Sequence, residues 1–102
     1  MKEIVLQDCI GFEWDKWNLD KNWDKHNASH LECEQVFFNC PLLLYDDIKH
    51  SKDGIRAYVL GKTNIRRLLF VVFTVRNNLI RVISARDMNK KEKTIYESNT
   101  SF

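Results

Sequence analysis

Apolar positions recur with two different periods along this chain of 102 residues. Before Pro41 the spacing is that of helices, and after it that of strands. From about Lys16 to His26, the residues Leu19, Trp23 and His26 stand at i, i+4 and i+7, one stripe of a helix. Phe12-Glu13-Trp14-Asp15 reads as a short strand running into it, and Asn27-Ala28 breaks it. Ser29-His30-Leu31-Glu32 then has the S-x-x-E spacing of a capping box, in which the two side chains satisfy each other's orphan backbone donors. Cys33, Val36 and Phe37 supply the apolar face of this second helix, and Pro41 follows its end.

Beyond Pro41 the aliphatic, aromatic and β-branched content rises. Leu42 to Tyr45, Ile55 to Leu60 and Arg67 to Arg76 read as strands, with Asp46 to Asp53 a polar loop. Asn77-Asn78 suits a hairpin because asparagine tolerates positive φ, and Leu79 to Ala85 is the return strand. Asn89 and Glu92 repeat the cap spacing and open a helix through Tyr96. The expected fold is α+β: two N-terminal helices, an antiparallel sheet of three to four strands, and a C-terminal helix. One domain over 1–102 is expected, its core about 11–97, with 98–102 a frayed tail.

Hydrophobic residues make up 44% and charged residues 29%, which excludes a disordered chain. A domain this short buries only about two thirds of its unfolded surface, so a partner chain would add stability. The longest apolar run, Leu68 to Phe73, is far too short for a membrane span. Cys9, Cys33 and Cys40 lack C-x-x-C spacing and fit free thiols. A cytoplasmic protein without membrane contact is expected.

Net charge is only +2, yet its distribution is uneven. Between Arg56 and Lys93 the sole acids are Asp87 and Glu92, against seven arginine and lysine positions up to Arg86 and three lysines after it. A polyanion would meet this half. The hairpin arginines matter most, and two registers are open. A two-residue turn groups Arg67 with Ser84 and Arg86, and Thr74 with Arg76 and Arg81; a three-residue turn groups Arg76, Thr74, Ser84 and Arg86. Either brings at least two guanidinium forks and a hydroxyl to one face, a match for phosphate oxygens. The alternative is that strand-end arginines are solvated or paired with carboxylates.

The segment Arg81-Val-Ile-Ser-Ala-Arg86-Asp-Met-Asn-Lys-Lys-Glu92-Lys-Thr-Ile-Tyr96-Glu97 closely resembles the C-terminal motif of BrnT toxins. So do Phe12-Glu-Trp14-Asp15, then Asn18, Lys21-Asn22 and Lys25-His26, and finally Gly61-Lys-Thr63 with the Arg67 to Thr74 strand, in the same order. The resemblance implies a RelE-like ribonuclease fold, growth arrest through RNA cleavage, and neutralisation by a BrnA-like antitoxin that itself binds promoter DNA. By position it implies Arg67, Arg76 and Arg86 around phosphate, with the Lys25-His26 pair beside them. The family usually has glycine where this chain has Arg66 and Asn27, which bears on turn geometry.

The expected activity is therefore a metal-independent endoribonuclease without cofactor, with Arg67, Arg76, Arg86, Lys25 and His26 as catalytic candidates. Arg86 leads as a phosphate clamp, its alternative being a salt bridge to Asp87 or Glu92. His26 has a suitable unperturbed pKa for proton transfer, yet its place on the Leu19/Trp23 stripe also fits packing. Arg81, Lys90, Lys91, Trp14 and Tyr96 are RNA-binding candidates; the alternative for Trp14 and Tyr96 is a core position, which is favoured for Trp14. His26, His30 and Cys33 make no metal site, because the Ser29 cap breaks their helical spacing. The competing readings are a nucleic-acid-binding or regulatory module of the same fold, and a structural subunit that docks an acidic partner.

Overall fold

The computed structural model describes residues 6, 9–15, 27–46 and 56–99. Its elements are β1 (Gly11–Glu13), α1 (His30–Phe38), β2 (Leu43–Asp46), β3 (Arg56–Lys62), β4 (Leu68–Arg76), β5 (Leu79–Asp87) and α2 (Lys90–Ser98). Five strands form one sheet in the order β1-β5-β4-β3-β2. The sheet is mixed, since β1 runs parallel to β5 while the other pairs are antiparallel.

This corrects the expected architecture. Among the described residues the sheet has five strands instead of three or four, and it is not purely antiparallel. The described residues contain two helices, one between β1 and β2 and one C-terminal. The stretch Lys16–His26, on which a further N-terminal helix was expected, lies outside the described residues.

Both capping boxes form. Ser29 Oγ accepts from Glu32 N at 3.1 Å while Ser29 N donates to Glu32 Oε1. Likewise Asn89 Oδ1 accepts from Glu92 N at 2.8 Å and Asn89 N donates to Glu92 Oε1 at 2.9 Å. Each box satisfies donors that the first turn of a helix leaves open.

Helix α1 lies on one face of the sheet. Its Cys33 and Val36 are fully buried with Ala57, Val59, Leu69, Val71, Phe73 and Val82. Phe37 closes the layer edge-on to Phe73 at 5.2 Å and to Phe12 at 5.5 Å. The approach is tight at Gly61, where a Cβ would meet Val36 Cγ1 at 2.5 Å. On the opposite face α2 covers only one end, through Met88 and Tyr96 packed with Leu60, Leu43, Tyr45, Leu68 and Phe70. The rest of that face carries no helix among the described residues.

Candidate nucleic-acid interface

The hairpin combines both registers allowed by its sequence. Asn77 and Asn78 take φ of 52° and 62°, so a two-residue turn sets Arg76 opposite Leu79 and Thr74 opposite Arg81. Between Phe73↔Val82 and Val72↔Ser84 the pairing shifts, leaving Ile83 as an extra residue on β5. Beyond that bulge the register is that of a three-residue turn, with Phe70 opposite Arg86. Period-two alternation therefore restarts in the middle of β5. Arg76, Thr74, Arg81, Ser84 and Arg86 all fall on the face away from α1. From β3, Arg56 joins them opposite Thr74, and Tyr58 opposite Val72.

Each arginine has its own environment. Arg86 lies with Cζ 4.0 Å above the Phe70 ring and forks onto Glu92 at 2.8 and 2.9 Å. The Arg86 hydrogen bond holds the Glu92 carboxyl below its usual value, against the opposing effect of burial. Arg81 reaches Asp15 at 2.8 Å and Glu13 at 3.4 Å, both carboxylates of the β1 edge. Arg76 is exposed at the hairpin end and makes no ion pair with the described residues. Arg86 thus makes the Glu92 salt bridge that was the alternative to a phosphate clamp, whereas the more exposed Arg81 pairs contribute between 0 and about 1 kcal/mol each.

Arg67 is placed elsewhere, which corrects its grouping with the other arginines. Its guanidinium donates to Asp87 at 2.7 Å, to Glu32 at 3.2 Å and to the Asn27 carbonyl at 2.8 Å, on the α1 side of the sheet. It ties the start of α1 to the ends of β4 and β5. Its pKa is raised above the ordinary value, first by the Asp87 hydrogen bond. The buried Thr63 secures the same corner, its Oγ1 accepting from Arg67 N at 3.0 Å.

Two aromatic candidates also leave the interface. Trp14 Nε1 donates to Glu34 at 2.8 Å, and its ring packs edge-on to His30. Tyr96 is 2% exposed and its hydroxyl donates to the Pro41 carbonyl at 2.7 Å. No ring face is left there for a base, and burial pushes its pKa up, away from proton transfer near neutrality. Lys90 and Lys91 are exposed on the first turn of α2. Lys25 and His26 lie outside the described residues. Cys33, weighed as a metal ligand, is a buried thiol whose pKa burial pushes up to about 12. Among the described residues no group of three or more His, Cys, Asp or Glu gathers as metal ligands.

Sequence reasoning missed Arg56, Tyr58 and Tyr45 on the open face. Alternation in Arg56-Ala57-Tyr58-Val59, with Ala57 and Val59 buried, is the signal that could have found the first two. A cavity of about 200 Å³, lined in part by Ile10, Phe12, Phe37 and Phe38, lies by β1 and the end of α1. No charged side chain lines it among the described residues, so it is not where phosphate chemistry would occur.

What the described residues define is a small α+β domain with an arginine-bearing sheet face of the kind that meets an anionic polymer. The family model described as "Ribonuclease toxin, BrnT, of type II toxin-antitoxin system" matches residues 14–92, and the chain belongs to that family. Its target is accordingly RNA and its partner an antitoxin. No curated protein matches the chain. No described helix is long and apolar enough to cross a membrane.

Proposed function

We propose that this chain is a metal-independent endoribonuclease that binds RNA across the face bearing Arg76, Arg81 and Arg86. The observation that carries this reading is that the bulge sets those three arginines on one face with Thr74 and Ser84, spread from the Phe70 row to the Arg76 end of the hairpin. Attack of a 2′-hydroxyl oxygen on the adjacent phosphorus forms a pentacoordinate phosphorane with added negative charge. Guanidinium donors aimed at the non-bridging oxygens stabilise that charge without a cation. Collapse breaks the bond to the 5′ oxygen, leaving a 2′,3′-cyclic phosphate and a 5′-hydroxyl. The 2′ proton goes to a base and the leaving oxygen takes one from an acid. Lys25 and His26 are assigned these transfers on sequence position. The protein acts in the cytoplasm, arrests growth, and is neutralised by a BrnA-like antitoxin, which alone contacts promoter DNA.

The test uses the chain freed of antitoxin, with RNA in EDTA, beside folded Arg86→Ala and Arg76→Ala variants. Loss of one transition-state donor lowers the rate roughly a hundred- to a thousandfold. Binding without cleavage by the wild type would make the chain a regulatory module. Cleavage undiminished in both variants would remove the arginines from the mechanism.

A further inference from the structure

Four side chains from four successive strands form one column across the open face. Tyr45 of β2 stacks on Tyr58 of β3 with centroids 5.1 Å apart and ring planes at 20°. Tyr58 meets Phe70 of β4 at 4.9 Å and 34°. Phe70 in turn carries the Arg86 guanidinium of β5 at 4.0 Å. Neighbouring strands lie about 4.8 Å apart, so the column spans roughly 14 Å.

Its two ends differ. One is the guanidinium assigned above to phosphate. The other is half-buried Tyr45, which stacks on Tyr58, packs beside the cluster of Leu60, Met88 and Tyr96, and has no hydrogen-bond partner for its hydroxyl among the described residues. Among the described residues β2 is the sheet edge, and no strand continues the stack past Tyr45. A π-face at one end and a cation at the other match the alternating base and phosphate of a single strand.

Resting on the ribonuclease reading, we propose that Tyr45 is a nucleobase-stacking subsite. A base of single-stranded RNA lies on the outer face of its ring, at least two nucleotides away from the phosphate held at Arg86. Stacking tolerates any base, because each has a π-face, so the subsite contributes affinity and register without sequence readout.

The experiment measures binding of a short 2′-O-methyl RNA, which offers no free 2′-hydroxyl for attack, and of the same strand made abasic. The wild-type chain is expected to favour the base-bearing strand by roughly five- to a hundredfold. Tyr45→Leu, which keeps apolar bulk, brings its affinity down to the abasic level, while Tyr45→Phe retains the preference. Arg86→Ala weakens both strands alike. A wild type that binds both strands equally overturns the subsite and leaves the ribonuclease reading standing, whatever the folding of the variants. A preference retained in folded Tyr45→Leu also overturns it. A wild type that binds neither strand overturns both readings.

Discussion

Glu92 holds Arg86 by a two-pronged salt bridge, with oxygens 2.8 and 2.9 Å from the guanidinium nitrogens, and with the same carboxylate caps α2 through Asn89 N. Glu32 stands in the same double relation on the opposite face, to Ser29 N and Arg67. Each helix start is thus fastened to one arginine of the hairpin, and the Arg86 pair sits where phosphate is proposed to bind.

Glu92 therefore competes with RNA for Arg86. Glutamine at this position keeps the side-chain oxygen that accepts from Asn89 N and removes the charge. Glu92→Gln is expected to tighten binding of uncleavable RNA several-fold, measured at low salt. Unchanged or weaker binding would show that the carboxylate only orients Arg86.

The same pair predicts acid sensitivity. Glu92 titrates below the usual glutamate value of 4.5 when folded, chiefly through its Arg86 hydrogen bond. Its contribution is complete above that value and is lost as pH falls through the lower folded pKa. Urea midpoints measured from pH 6 to pH 3 should fall more steeply for the wild type than for Glu92→Gln. Parallel curves would count against the linkage.

Arg66 and Asn27 occupy left-handed backbone, with φ of 67° and 54°. A side chain there costs about 1 kcal/mol or more, less for asparagine. Arg66→Gly should stabilise by about 1 kcal/mol and raise Tm by roughly 4–8 °C, with Asn27→Gly giving less. A lower Tm for Arg66→Gly would contradict the backbone argument.

Gly61 predicts the opposite sign. A methyl group there would clash with Val36 Cγ1 and lie 3.3 Å from the Val36 carbonyl oxygen. Gly61→Ala should destabilise by about 1–3 kcal/mol through displacement of α1, read as a shift in the denaturation midpoint.

Thiol labelling checks the layer between α1 and the sheet. Cys40 is exposed, whereas Cys33 is buried with its pKa near 12. At pH 8, alkylation followed by mass spectrometry should modify Cys40 promptly and Cys33 only in denaturant. Early labelling of Cys33 would mean that α1 does not pack as described.

Local signals in the chain were legible. Ser29/Glu32 and Asn89/Glu92 announce two helix starts through three-residue spacing, and Asn77-Asn78 announces its turn, because each involves neighbours in sequence. The arginine face was legible only as two incompatible halves. Nothing in Val82-Ile83-Ser84 marks the bulge, which depends on how β5 fits β4 over its whole length. The pairing of β1 with β5 was equally hidden, since three residues must find a parallel partner nearly seventy positions away (Phe12 opposite Ile80). Arg67 carries the same side chain as Arg86, and only the fold assigns them to opposite faces.

The most direct measurement compares RNA cleavage and melting temperature for Arg76→Ala, Arg86→Ala and Arg67→Ala in the antitoxin-free chain. The prediction is that the first two abolish most cleavage, Arg76→Ala melting near the wild type and Arg86→Ala somewhat below it, and that Arg67→Ala chiefly lowers the melting temperature. A folded Arg67→Ala chain that has lost cleavage, beside active Arg76→Ala and Arg86→Ala chains, would place the chemistry on the other side of the sheet.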